Sequence, residues 1–257
     1  MTLLRDAALT AAFDGASTAY DRLVGANPGY HRQLRRSARR LALPGGGEGL
    51  RVLDLGCGTG ASTAALLAVA PRAEITAVDA SAGMLGRAAA KTWPGNVSFV
   101  HAPAEELGRA GVRGPFDAVF AAYLVRNLTA PDEVLSGVRG LLRPGGRLAV
   151  HEYALSGAGR HRLVWTAVCR SVIIPAGSLG PGGPGLYRHL WRSVLEFDTA
   201  PRLRDRLTAA GFEAARVVPM PGWEHGILHT FLARAPYGGR GGRGGHGGRH
   251  GDPGKRP

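Results

Sequence analysis

Cysteine is almost missing from this chain: Cys57 and Cys169 are the only two in 257 residues. Two cysteines without a CxxC spacing make no disulfide framework, so a reducing, cytoplasmic setting is expected. Lysine is equally scarce, since Lys91 and Lys255 are the only lysines among 32 basic residues. That bias toward arginine reads as genome composition and carries no functional argument. Long apolar runs are absent too. A spanning helix needs about 18 apolar residues, and the longest lipophilic stretch, LVWTAVCRSVIIPAG at 163–177, is interrupted by Arg170. The opening MTLLRDAALTAAFD lacks the charged and apolar regions of a secretory signal. No cluster of His, Cys and carboxylates has metal-ligand spacing, so no metal is expected.

What is present fits a single α/β domain with a sizeable core and a tail. The net charge of +13 is unevenly spread. The tail from Tyr237 supplies +4 of it, and much of the rest sits in HRQLRRSARR at 31–40. A basic helix of this kind suits a solvated face first, and an anionic membrane surface or nucleic acid second. The tail YGGRGGRGGHGGRHGDPGKRP cannot bury enough apolar surface to fold. It is similar to RGG-type RNA-binding segments, but no aromatic follows Tyr237, so an inert tail is expected and nucleic acid is not an expected partner.

The stretch VLDLGCGTG at 52–60 carries the most information. An apolar strand runs into a glycine loop, and ASTAALLAVA then opens a helix, so backbone N–H groups and a helix N-terminus face one ligand. Gly56, Gly58 and Gly60 allow positive φ and a close backbone approach. The spacing alone is ambiguous, because Gly56, Gly58 and Ala61 also satisfy the GxGxxG/A dinucleotide pattern. Two acids decide. Asp54, just before the loop, suits a ligand ammonium and would repel a pyrophosphate. Asp79 ends the next apolar run, EITAVD, about 20 residues on, where a carboxylate accepts both ribose hydroxyls of an adenosine. Cys57, between two glycines, reads as a small filler rather than a nucleophile.

Strand patterns RVLDL, EITAV, VSFVHA, FDAVFAA and GRLAVHEY alternate with helical ones, which predicts a parallel sheet with helices on both faces. Helical patterns cover 4–24 and 29–43. An apolar, glycine-rich insertion interrupts the rhythm from about 157 to 197, and the chain resumes as a helix and two strands with no helix between them, which predicts an antiparallel hairpin at the sheet edge. The resulting segments are 1–50, N-terminal helices covering the site; 51–156, a ligand-binding core; 157–197, a lid-like insertion for an acceptor; 198–236, the rest of the core; and 237–257, the tail.

VLDLGCGTG followed by AVDAS resembles the cofactor site of class I methyltransferases, which bind S-adenosyl-L-methionine. FDAVFAAYLVRNLTAPDEVLSGVRGLLRPGGRLAVHEY at 116–153 resembles more narrowly the ubiquinone/menaquinone biosynthesis C-methyltransferase family. FDGASTAYDR at 13–22, IIPAGSL at 173–179, YRHLWRSVLEF at 187–197 and LRDRLTAAGF at 203–212 resemble further segments of that family in the same order. The resemblance implies a Rossmann-like class I fold with a seven-stranded, mostly parallel sheet. It also implies a small aromatic, lipophilic acceptor such as a demethylated quinol, with a peripheral membrane contact compatible and the oligomeric state left open.

By the same resemblance, Tyr20, Thr59, Asp79, Pro103, Ala104 and Ala122 occupy cofactor positions, beside Asp54, Gly56, Gly58 and Gly60. Arg126 and Asn127 occupy the catalytic ones. Methylating a ring carbon needs an electron-rich ring, and a guanidinium near a ring hydroxyl would stabilise the phenolate while an amide holds a neighbouring oxygen or water. The plainer reading of Arg126 is an ion pair with Asp132 or Glu133. His151 could accept a proton, although a lone strand histidine more often has a structural role. Pro103 replaces a polar family residue, Ala122 a serine, and Tyr123, Leu124 and Val125 a Phe-Gly-Leu. The last change favours, as an alternative, an O- or N-methyltransferase of secondary metabolism. A nicotinamide-dependent reductase and a noncatalytic RNA-binding protein are the readings from other classes.

Overall fold

The computed structural model describes residues 6–25, 29–178 and 183–237. The Gly/Arg-rich tail expectation therefore lies outside the described residues, apart from Tyr237. Five parallel strands, β1 (Arg51–Leu55), β2 (Glu74–Asp79), β3 (Val97–His101), β4 (Phe116–Ala122) and β5 (Leu142–Tyr153), join an antiparallel pair, β6 (Glu213–Pro219) and β7 (Leu228–Arg234). They form one seven-stranded sheet in the order β3-β2-β1-β4-β5-β7-β6. The expected alternation and closing hairpin are both present.

The strands are apolar on both faces because helices cover both. Successive side chains alternate across the sheet. On one face Val52, Ile75, Ala118 and Phe120 pack with Leu34 and Ala38 of α2 (Tyr30–Arg40), with Leu41 just after it, and with Leu66 of α3 (Ala61–Leu67). On the other, Leu53, Val119 and Leu148 pack with Val134, Leu135 and Val138 of α5 (Pro131–Leu141) and Leu203 and Leu207 of α9 (Ala200–Ala209). Neighbours β1 and β4 are reached by crossovers running in opposite directions, so a crevice opens beyond their carboxyl ends.

One further layer closes that crevice and a second packs beside it, without lining it. α1 (Asp6–Gly25) lies against α4 (Ala82–Ala89). Residues 157–197, read as an insertion, form α6 (Gly159–Val168), a π-helical turn over 169–173, α7 (Ile174–Ser178) and α8 (Gly183–Glu196). Trp165, Cys169 and Val194 from this unit are buried against Tyr153, Leu155, Met220 and Leu228. No helix among the described residues is long and apolar enough to cross a membrane.

Candidate active site

A cavity of about 310 Å³ lies over the carboxyl ends of β1, β2, β3 and β4. Four sequence segments reach it, one from each strand end: 55–62, 78–81, 102–105 and 122–124. Leu9, Thr10, Phe13 and Tyr20 of α1 and Tyr30 of α2 close it from above.

The glycine loop splits into two jobs. Gly58 has φ +55° with nothing within 4 Å of where a Cβ would lie, so its backbone presents open space to a ligand. A Cβ on Gly60, at φ +92°, would come within 2.7 Å of the Trp93 ring. Gly60 is not among the residues that line the cavity. It lets Trp93 pack beneath α3.

Asp79 lines the cavity as expected. Its Oδ2 accepts the Gly58 N–H at 2.7 Å and its Oδ1 the Ser81 N–H at 2.9 Å, which fixes the carboxylate at the loop. Burial pushes its carboxyl up and these two N–H bonds pull it back. Asp54 lies one layer deeper than Asp79. It is fully buried behind the loop and does not line the cavity. Its Oδ2 accepts the hydroxyls of Ser62 and Thr63, at 2.8 and 2.6 Å, from the first turn of α3. Its Oδ1 has no partner, and burial lifts its carboxyl to about 7. Burial likewise pushes the Cys57 thiol up, which leaves it a neutral filler.

α1 is latched to the loops below. Asp14 accepts the Ser81 hydroxyl at 2.5 Å and the Gly83 N–H at 2.9 Å. Asp21 accepts the Thr59 hydroxyl at 2.5 Å and pairs with Lys91 at 2.7 Å, while Lys91 also donates to the Thr59 carbonyl at 2.7 Å. Sequence reading placed Asp21 in a motif without a role and passed over Asp14, Ser81 and Lys91, because no spacing links residues so far apart.

The far end of the cavity is aromatic. Tyr30 stacks on Tyr123, with centroids 5.6 Å apart and planes 11° from parallel, and Tyr20 and Phe13 complete the wall. Tyr123 takes φ +57°, unusual for a bulky residue. Asn127 lines the cavity as expected; its amide donates to the Tyr123 carbonyl at 3.1 Å. Arg126 sits behind this wall. It does not line the cavity, and its guanidinium is ion-paired with Glu152, a fully buried residue of β5. Asp132, one of its anticipated partners, instead pairs with Arg206 at 2.6 Å. The physical reason is that the turn at 125–127 leaves β4 beside β5, so a buried carboxylate one strand away captures the charge. Burial pushes Glu152 up, and Arg126 opposes it.

His151 is fully buried, and burial with the nearby Arg40 charge lowers it to about 3. It is a neutral group held by hydrogen bonds to Ser37 and Tyr123. Pro103, Ala104 and Ala122 line the cavity, as do Gly56 and Thr59. The structure thus brings together Tyr20, Gly56, Gly58, Thr59, Asp79, Pro103, Ala104, Ala122 and Asn127, and sets Asp54, Gly60 and Arg126 behind them.

A seven-stranded sheet of this order, with its cavity over the first glycine loop and an acid at the end of β2, is the fold of the class I S-adenosyl-L-methionine-dependent methyltransferases. Residues 52–146 match the family described as "Methyltransferase domain". The chain is 34% identical over 178 residues to the demethylmenaquinone methyltransferase of Thermus thermophilus, covering 69% of this chain and 80% of that one. It is 32% identical over 199 residues to the ubiquinone/menaquinone biosynthesis C-methyltransferase of Pseudomonas aeruginosa, covering 76% of each. The chain belongs to this methyltransferase family, is an enzyme, and uses S-adenosyl-L-methionine. Among solved structures, the [4+2]-cyclase SpnF aligns with a TM-score of 0.67 at 18% identity, covering 93% of this chain and 98% of that one. That likeness concerns the fold alone, since one fold hosts different reactions.

Proposed function

We propose that this enzyme methylates a ring carbon of a reduced, hydroxylated aromatic, a demethylated quinol of the menaquinone or ubiquinone type. The observation that carries the reading is the tyrosine-walled end of the cavity. Tyr20, Tyr30 and Tyr123 offer a slot for a planar ring, and no Lys or Arg is among the described lining residues to select an anionic acceptor. The named activities of the family relatives point the same way.

The residues present fit the cofactor. Gly58 leaves open space at the loop, Asp79 offers a fixed carboxylate for ribose hydroxyls, and Pro103, Ala104 and Met84 offer an apolar seat for adenine. Asp54 Oδ1 is a buried acceptor without a donor, directly beneath the loop that would carry the amino-acid end. The cofactor, when bound, supplies an electrophilic sulfonium methyl. The chain's part is to orient the ring against that methyl, exclude water with α1, and handle the hydroxyl proton.

Leu163, Val164 and Val172 are exposed on the 157–197 unit, beside Arg160, Arg162 and Arg170. This mixture suits shallow contact with an anionic bilayer, where a polyprenyl-tailed acceptor resides. The test is incubation with methyl-labelled cofactor and reduced demethylated quinols in anionic vesicles, followed by fragmentation mass spectrometry. Label on a ring carbon is expected. Label on oxygen or nitrogen would replace the proposal with the O- or N-methyltransferase reading.

A further inference from the structure

Behind the aromatic wall runs a chain of buried polar side chains that cofactor binding does not use. It starts at Arg40, which donates to Thr230 Oγ1 at 2.6 Å. Thr230 Oγ1 lies 2.6 Å from Ser37 Oγ, and Ser37 Oγ lies 2.8 Å from His151 Nδ1. His151 Nε2 lies 3.0 Å from Tyr123 Oη. The Tyr123 and Tyr153 rings lie side by side with centroids 5.2 Å apart, close enough for the Tyr123 hydroxyl to hold the Tyr153 phenol down against burial, and the Tyr153 hydroxyl donates to Glu224 Oε1 at 3.3 Å. Gln33 donates to the other Glu224 oxygen. Ser37, His151, Tyr153, Glu224 and Thr230 are all buried.

Donor and acceptor counting gives the chain a direction. Arg40 can only donate. If Ser37 also donated to Thr230, the threonine proton would have no acceptor in the chain, whereas donation by Thr230 to Ser37 leaves each hydroxyl one donor and one acceptor role. Ser37 then donates to His151 Nδ1, which makes Nε2–H the neutral histidine's donor to Tyr123. Tyr123 passes its own proton toward Tyr153, and Tyr153 toward Glu224. Every donor points the same way, from a fixed cation to a buried carboxylate. Only Tyr123 among these residues lines the cavity.

We propose that Tyr123, Tyr153 and Glu224 form a proton relay that draws the hydroxyl proton of the acceptor out of the closed cavity. The proposal rests on the reading of the acceptor as a ring hydroxyl. The acceptor O–H proton moves to Tyr123 Oη as the Tyr123 proton passes to Tyr153 Oη and the Tyr153 proton to Glu224 Oε1. The acceptor oxygen is left anionic, Glu224 neutral and both tyrosines unchanged. Tyr123 meets the acceptor; Tyr153 and Glu224 are positioning residues behind it. His151 holds the Tyr123 oxygen from the opposite side and stays neutral throughout. Burial pushes the Glu224 carboxyl up, which makes it a stronger base than a surface glutamate. Its neighbours Trp223 and His225 are exposed, so the turn that carries Glu224 lies at the surface although its own carboxyl is buried.

The test uses 4-nitrophenol, whose phenolate absorbs visible light, bound to the full-length enzyme with S-adenosylhomocysteine. Native enzyme should hold a larger ionised fraction of the probe than buffer does. Glu224→Gln and Tyr153→Phe, with circular dichroism and cofactor affinity unchanged, should each lower it about tenfold and cut kcat about a hundredfold. A merely structural role would leave the phenolate band in place. Equal ionisation in native enzyme and both variants overturns the relay, and so does a native enzyme that ionises no probe. Loss of the band in the variants while no quinol is methylated upholds the relay and removes the quinol reading. Quinol methylation with an unchanged band does the reverse.

Discussion

The two ends of the cavity were built by different means. The loop end comes from two strand ends, with Gly56, Gly58, Thr59 and Asp79 within one βαβ unit. Its geometry is local: a strand, a loop of positive-φ glycines, and a carboxylate held by the Gly58 and Ser81 N–H groups. The aromatic end collects Tyr20 from α1, Tyr30 from α2, and Tyr123 and Asn127 from beyond β4, backed by Glu152 and Tyr153 of β5 and by Glu224. One end is a short-range consequence of sequence; the other exists only after the whole chain has folded. Mutations at the two ends should therefore fail differently, by weaker cofactor binding at one and by lost stability or altered acceptor chemistry at the other.

The largest effect belongs to the aromatic end. Arg126→Ala leaves Glu152 buried without its partner, which should cost about 3–5 kcal/mol of stability. Denaturant unfolding checks this. A variant of native stability that had lost turnover alone would return Arg126 to the acceptor, despite its place behind Tyr123. At the loop end, Asp79→Ala should weaken cofactor binding by about 1.5–3 kcal/mol while leaving the fold intact. Calorimetric affinity equal to native would remove Asp79 from the site and erase the contrast.

Legibility in the sequence follows the same division. The alternation of strands and helices, the hairpin of β6 and β7, and the placement of Gly58 and Asp79 at the cavity were readable because period, turn chemistry and spacing are local signals, whereas Thr59, Pro103, Ala104 and Ala122 came only through the family resemblance. The partner of Arg126 was not legible because it is chosen by the β4–β5 neighbourhood, and nothing in VRNL reveals that Glu152 lies alongside. The side-chain partners of Asp54 were not legible either. Ser62 and Thr63, which turn it toward the helix, were visible only as part of a helix-forming run. Glu224 and Lys91 carried no signal at all, each being an isolated charge whose meaning depends on long-range contact.

Asp54 offers a smaller effect that sharpens the loop end. Burial holds its carboxyl up at about 7, so across the range from about 4 to about 7 the folded chain keeps a proton that the unfolded chain has released. Stability of the cofactor-free enzyme should therefore fall as pH rises through that window, by no more than about 1.4 kcal/mol per pH unit for this one group. Asp54→Asn should flatten that fall. Binding a ligand ammonium beneath the loop should also flatten it, by favouring the charged carboxylate. Urea midpoints measured across the window with and without cofactor check both, and a fall that persists with bound cofactor would deny Asp54 Oδ1 that partner.

The smallest effect lies where the two ends meet. Lys91 ties α1 to the glycine loop through Asp21 and the Thr59 carbonyl, but both charged side chains are substantially exposed, at 40% and 47%. An exposed pair of this kind contributes about 0.2–1 kcal/mol, so Lys91→Ala should scarcely move global unfolding. The latch is nevertheless positioned to govern how often α1, with Phe13 and Tyr20, leaves the cavity roof. Local opening draws on a small free energy rather than the global one. Hydrogen exchange over residues 6–25 should accelerate severalfold in Lys91→Ala while the sheet amides stay as slow as in the native enzyme, and added salt should reproduce part of the change in the native enzyme by screening the pair. Unchanged exchange over α1 would mean that the Asp14 bonds to Ser81 and Gly83 alone hold the roof. The aromatic end would then be closed by contacts to the loop after β2 and not by the glycine loop.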